Sequence, residues 1–382
     1  MIYDNIKFNS DIIRKPKPNI YFNNIYGPKV EIKNSPDDKY LVSFIDINTG
    51  ITHHSSEIGN ECWVSCNISY YKEWRIKIEK DGNDFETIDF NLEGKSVFIN
   101  IDSRSLGDNL AWVPYVEEFR KKHNCQVHCS TFWNHLFVLE YPEIKFVPPG
   151  STVHGLTAQY RLGWFYDLDN NVDYWKCPFN FRNQPMQKVA ADILGLDYKE
   201  TRPLIKLSKN IEKENLITIA LHGTAQSKYW NNTTGWQDIV DFAKSKGYRV
   251  MLISKESDGY MGNSHPIGIE KLESGPIENV IETLQKSKLF IGIGSGLSWL
   301  SWATGTTTCI ISGFSYDYTE PSGNGVVRVS TPPNFCTGCF NDDKLDPGDW
   351  NWCPKHKGTD RQFECSKSIT SQMVIDKISP YL

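Results

Sequence analysis

"KLFIGIGSGLSWLSWATGTTTCIISGF" (288–314) reads as strand, turn, helix and strand in one short span. "KLFIGIGS" and "TTTCIISGF" read as strands, and "GLSWLSWATG" between them reads as a helix. Upstream the same alternation recurs. "LITIALHG" (216–223) is a strand, "TGWQDIVDFAKSKG" a helix ending on Gly247, "YRVMLIS" a strand and "PIENVIETLQKS" a helix. Strand and helix in regular alternation is the grammar of a parallel α/β sheet.

A first copy of this grammar precedes it. "SVFINID" (96–102) is a buried strand, followed by the loop "SRSLGDN" and by "LAWVPYVEEFRKKHN", with Leu110, Val113, Val116 and Phe119 on one helical face. "CQVHCST" is the next strand, and "MQKVAADILGL" closes the block near residue 196. The expectation is two Rossmann-like halves, 96–205 and 206–330, joined through "KETRPLIKLSKNIEKEN". Residues 1–95 read differently. "KYLVSFIDI", "ECWVSCNIS" and "EWRIKIEKDGNDFETIDF" alternate or carry β-branched runs between "NTG", "IGNE" and "KDGND" turns, which predicts a β-rich, barrel-like domain. Residues 331–382 hold Cys336, Cys339, Cys353 and Cys365 as C-x2-C-x13-C-x11-C, followed by a candidate closing helix, "SITSQMVIDKISPYL".

Composition bounds the function. The 382 residues exceed what one core usually supports. A formal charge of −5 gives no electrostatic footprint for general nucleic-acid binding. The first residues, "MIYDNIKFNSDIIRKPKPNIYFNN", lack a signal-peptide core, and no window approaches a membrane span, so a cytoplasmic protein is expected. In that reducing compartment the scattered Cys62, Cys66, Cys125, Cys129, Cys177 and Cys309 are expected as free thiols.

Ligands of open α/β sheets bind beyond the carboxyl ends of the strands, which singles out three loops. In "SRSLGDNLAW", Asp108 is either a helix cap or a carboxylate facing a cleft, able to take a proton from an acceptor hydroxyl; the readings are compatible. In "HGTAQSKYWN", Thr224, Ser227 and Lys228 point at the ligand, and a lysine there neutralises a diphosphate leaving group or is a solvated surface residue. In "IGIGSGLSWLSWATG", Gly294, Ser295 and Gly296 present backbone N–H groups to an anion, unless the glycines serve packing alone. The turn has neither GxGxxG nor GKS/T spacing, which disfavours hydride transfer and NTP hydrolysis. Asp167 and Asp169 in "FYDLDNN" form a competing Asp-x-Asp metal motif in a turn-like stretch. The C-x2-C start of the cysteine cluster points to a tetrahedral thiolate metal site, iron or zinc, with His356 as an outside candidate; free thiols and a redox CxxC are the other readings. Four cysteine ligands leave no open position, so such a site is structural.

Taken in order, "SLGDNLAWVP", "HGTAQSKYW" and "IGSGLSWLSWATGT" resemble the ADP-heptose transferases of lipopolysaccharide synthesis, and with the β-rich start and cysteine tail the chain more closely resembles the bacterial autotransporter heptosyltransferases. The resemblance covers nearly the whole chain. It implies a GT-B glycosyltransferase fold, a four-cysteine iron-binding finger with one structural iron per chain, and a homo-oligomer, even a dodecameric ring. It implies transfer of heptose from ADP-heptose to serine hydroxyls of an autotransporter adhesin passenger, with inversion and no catalytic metal. Asp108 would be the base, Lys228 would bind the donor diphosphate, and Thr224, Ser295, Gly296 and Leu297 would lie at the nucleotide. Where the lipopolysaccharide enzymes carry Asp-Thr before the glycine and His after the serine, this chain has Gly294-Ser295 and Trp299, which tells against a lipopolysaccharide acceptor. Two alternatives stand beside this: a GT-B transferase using another nucleotide sugar or a saccharide acceptor, and a metal-stabilised binding module reading protein or nucleic acid through the cysteine finger. Mixed charge in the tail ("KHK" beside "NDDKLDPGD") speaks against the latter.

Overall fold

The computed structural model describes residues 18–35 and 37–382; the expected absence of a signal peptide falls largely on residues outside these. The chain divides into two compact units. One holds the residues up to Arg104 with Trp112–Phe181 and Gln187–Lys199; the other holds Ser105–Ala111, Arg182–Met186 and Glu200–Leu382.

The first unit contains two sheets. In the seven-stranded sheet the order is Ile144–Val147, Gln126–Ser130, Ser96–Ile101, Ala158–Leu162, Asn19–Asn24, Pro28–Lys33 and Cys62–Ser65. The first five are parallel to their neighbours and the last two pair antiparallel. The four-stranded sheet, Thr52–Gly59, Lys39–Asp46, Trp74–Lys80 and Asn83–Asp89, is antiparallel throughout. The β-rich start therefore does not close as one barrel ending at residue 95. Three of its strands extend the parallel sheet, because Asn24 pairs with Ala158. Both sheets contribute to one core: Val30 and Ile32 from one, and Val42, Phe44, Trp74, Ile76 and Ile78 from the other, are all fully buried. In Trp74–Lys80 the alternation puts Trp74, Ile76 and Ile78 inward and leaves Arg75 exposed, as a half-buried strand requires.

The second unit is built on a six-stranded, all-parallel sheet ordered Glu270–Lys271, Arg249–Leu252, Leu216–Ala220, Leu289–Ile293, Thr307–Ser312 and Val326–Ser330. Numbered along the chain, that order is 3-2-1-4-5-6, the doubly wound arrangement. Leu216–Ala220 and Leu289–Ile293 are buried at every position, which explains their largely apolar sequences, LITIA and LFIGI. The cysteine-bearing tail is not a separate body. Helix Ser371–Ile378, capped by the Thr370 side chain, buries Val374 and Ile378 in the same core as Ile239, Val240 and Ile311. No helix among the described residues is long and apolar enough to cross a membrane.

Candidate active site

In a doubly wound sheet the crevice opens where strand order reverses, here between Leu216–Ala220 and Leu289–Ile293. The loops leaving those two strands are 221–228 and 294–296, two of the three that the sequence singles out. The third, 105–111, belongs by its contacts to the same unit. Its approach is a close backbone contact: a Cβ on Gly296 would lie 3.1 Å from Gly107 N, and one on Gly107 would lie 3.2 Å from the Trp299 ring. Two glycines thus let the Asp108 loop seat on the start of helix Gly296–Ala303, and the buried Trp299 serves as part of that seat. Gly294 has a similar reason. A side chain there would collide with Glu320 Oε1. Glu320 is itself held by Ser315 Oγ (2.7 Å) and by Arg328 Nη1 (2.5 Å).

Helix Leu106–His123 starts earlier than its apolar periodicity suggests, so Asp108 lies inside the first turn and is not the cap. A carboxylate there is favoured by the helix N-terminus. Asp108 is buried, as is the Ser227 side chain. Lys228 sits in the short 3-10 turn Gln226–Lys228. Burial pushes its ammonium below the usual lysine range, opposed by the charges of Asp108 and then Glu320. The Phe314 ring lies 5.5 Å from Lys228 Nζ. Among the described residues that ammonium has neither a hydrogen bond nor an ion pair. Ser227 Oγ and Ser295 Oγ are likewise buried without a partner. Ser295 occupies the cap position of helix Gly296–Ala303 yet makes no side-chain cap bond, although serine at that position normally does. Three polar groups left unmatched at a switch point are what a polar ligand would satisfy. Thr224 is exposed and Leu297 partly so. A cavity of about 360 Å³ lies in the first unit, lined in part by Tyr26, Arg161, Phe165 and Trp175; it includes none of these groups, and unmatched donors mark the site better than volume does.

Asp167 is occupied otherwise. Its Oδ1 accepts the backbone N–H groups of Asp169 (2.9 Å) and Asn171 (2.8 Å), so the Asp-x-Asp stretch is a turn closed by its own first carboxylate. Of the tail cysteines, Cys336, Cys339 and Cys353 lie near enough to Cys365 to act on its charge. Cys339, Cys353 and Cys365 are buried and Cys336 half-buried. Burial, and then the charges of Cys336, Cys339 and Cys353, push the Cys365 thiol up to about 12. Burial likewise pushes Cys339 to about 12. Desolvated thiols that would repel one another as thiolates are a donor set suited to a cation. Among the described residues the donor atoms that converge are those of Cys336, His356 and Glu364, all within 4.8 Å of one another; the four expected thiols are not brought together in this way. Glu364 was not singled out in the sequence, because it reaches Cys336 across twenty-eight residues of chain (its Oε1 accepts Cys336 N at 3.1 Å).

No protein-family model matches the chain. The autotransporter heptosyltransferase BAHTCr of Citrobacter rodentium is 36% identical over 356 residues, covering 90% of this chain and 85% of the relative. The chain belongs to the autotransporter heptosyltransferase family. Crystal structures of another family member, TibC from enterotoxigenic E. coli H10407, superpose with TM-scores of 0.85 and 0.86 at 31% identity, covering at least 95% of both chains. TibC is an iron-containing dodecamer, and one of these structures holds ADP-D-β-D-heptose. The fold is thus the mixed α/β glycosyltransferase fold of TibC. The family also includes an inactive heptosyltransferase, BimC of Burkholderia thailandensis, 27% identical over 89% of this chain. Membership alone therefore does not carry catalysis, and the side chains at the site have to.

Proposed function

We propose that this protein transfers heptose from ADP-heptose to serine hydroxyls of an autotransporter adhesin in the cytoplasm before export, as a two-domain GT-B enzyme. Its donor half is 206–330 and its acceptor half 96–205, with the β-rich 1–95 ahead of them. The observation that carries the reading is the half-buried Lys228 ammonium at the switch point, without a hydrogen bond or ion pair among the described residues and with Asp108 as the first of its charged neighbours.

In this scheme a serine oxygen forms a bond to the anomeric carbon from the side opposite ADP, inverting it. The bond from that carbon to the β-phosphate oxygen breaks, and ADP leaves with the electron pair. Asp108 takes the serine proton. Lys228, with Ser227, Thr224 and the groups of the 294–297 turn, takes up the charge growing on the diphosphate, which is electrostatic stabilisation of a leaving group. Lysine supplies that charge without a divalent ion at the donor.

Cys336, Cys339, Cys353 and Cys365 would hold one iron, or zinc, with His356 and Glu364 beside Cys336. Such an ion would supply structural closure of the tail. The same reading gives the chain a homo-oligomeric state, TibC being a dodecamer. Intact-mass analysis of a co-expressed adhesin passenger tests the function. Added heptose units are expected; added hexose units would move the reading to another sugar nucleotide, and an unmodified passenger would sink it.

A further inference from the structure

The loop that carries Lys228 is held from both sides by the cysteine segment. Three residues before Cys353, the Trp350 carbonyl accepts Gln226 N at 3.0 Å. The Trp350 ring stands edge-on to Tyr229 (5.5 Å between centroids) and to Tyr260 (6.0 Å). Directly after Cys365, Ser366 Oγ accepts from Asn231 Nδ2 at 2.8 Å. Asn231 Nδ2 also reaches the carbonyls of Gln226 (3.1 Å) and Tyr229 (3.0 Å), which closes the loop around Lys228. A little further on, the Ile369 carbonyl accepts from Trp230 Nε1 at 2.8 Å. Phe314, whose ring faces the ammonium, is packed in one cluster with Cys339 and Trp352. Since Lys228 Nζ has no hydrogen bond or ion pair among the described residues, its position is set by this backbone loop. The loop's position is set in turn by residues next to Cys353 and Cys365.

We infer that Trp350 is a positioning residue for the Lys228 ammonium, so that the cysteine segment shapes the donor site as well as closing the tail. The inference rests on the reading of Lys228 as the diphosphate-binding group. An ammonium acts on a diphosphate as a point charge, so a small displacement of its loop weakens binding.

The test uses full-length protein as purified, with ADP as the probe and titration calorimetry as the readout. Trp350→Ala should weaken ADP binding about tenfold, a modest share of what an ångström of misplacement costs in a site. Metal content by elemental analysis and mass by light scattering should not change. Trp350→Phe, which keeps a ring against Tyr229 and Tyr260, should restore most of the affinity. The discriminating arm is a double-mutant cycle: in a Lys228→Ala background, Trp350→Ala should have almost no further effect, because its influence runs through the lysine. Equal effects in both backgrounds, or unchanged ADP affinity, would overturn the inference while leaving the donor reading in place. Should Trp350→Ala not fold, Asn231→Ala, which removes the tether on the opposite flank, carries the same cycle with the same expected outcomes. Unsubstituted protein that does not bind ADP would overturn the donor reading and this inference together.

Discussion

In the proposed mechanism Asp108 and Lys228 are the two ends of one proton-and-charge problem, and their surroundings suit opposite tasks. Asp108→Asn keeps the shape and removes the proposed base, and should lower kcat by about 10²–10⁴-fold with little change in ADP affinity; turnover near that of the unsubstituted enzyme would leave Asp108 as a helix-start carboxylate only. Lys228 carries a second consequence. Its folded pKa is lowered, chiefly by burial, so the folded state disfavours the ammonium that the proposed reaction needs. Stability should accordingly rise with pH between that lowered value and the lysine's unfolded one. Replacing it with an uncharged chain of similar length, Lys228→Met, should raise the melting temperature while abolishing transfer, since a desolvated unpaired charge is removed. A melting temperature that falls would mean that the ammonium is compensated in the folded protein. Both residues were legible in the sequence because each follows a buried strand. Glu320 was not: it lies in irregular chain after Thr307–Ser312 and meets Gly294 only in three dimensions.

Helix Leu106–His123 shows where periodicity stops informing. Leu110, Val113, Val116 and Phe119 are all fully buried, as their spacing predicts, but that spacing reports one packed face and is blind to the first turn, which contacts Gly296 through glycine. The far end of the helix gives a pH prediction. A histidine at a helix C-terminus is ordinarily favoured in its charged form by about 0.3–1 kcal/mol. His123 instead packs against Phe119 (4.4 Å) and Tyr71 (4.6 Å), and burial, with Lys122 adding to it, lowers its pKa from 6.5 to about 4. That shift is on the order of 3 kcal/mol, so burial outweighs the helix end. The contribution is fully present above the unfolded pKa near 6.5 and is lost as pH falls toward about 4. His123→Phe should flatten the decline of melting temperature across that window, and an unchanged slope would place the acid sensitivity elsewhere. Short edge strands were the other illegible parts. Glu270–Lys271 has two residues, too few for any alternation to show, and Ile144–Val147 has four.

The strand order of the second unit follows from buried strands alternating with helices, and that much could be read from the chain. What could not be read is how the ends join the body, because it depends on long-range pairing: Asn24 with Ala158 at one end, and Val374 and Ile378 in the core of the second unit at the other. Leu139, Tyr174, Trp175 and Phe179 are exposed, apolar surface that the proposed assembly could cover. Light scattering should therefore give a mass many times the 43.8 kDa of one chain, and a strictly monomeric species would remove the assembly from the proposal. The cysteine segment allows the two roles of the tail to be separated. Cys353 and Cys365 stand next to the residues that tether the Lys228 loop, whereas Cys336 and Cys339 follow the sheet's last strand, Val326–Ser330. If one ion joins all four, Cys365→Ser should lose the metal, and ADP affinity should fall with it, because Ser366 and Trp350 then no longer hold their places. Cys339→Ser should lose the metal equally, since a tetrahedral thiolate site tolerates no missing ligand well. Elemental analysis on the purified variants, beside ADP titration on each, decides it. Active unsubstituted protein with no bound metal would sink the four-cysteine site, and metal retained after Cys365→Ser would shift the ligand set toward Cys336, His356 and Glu364.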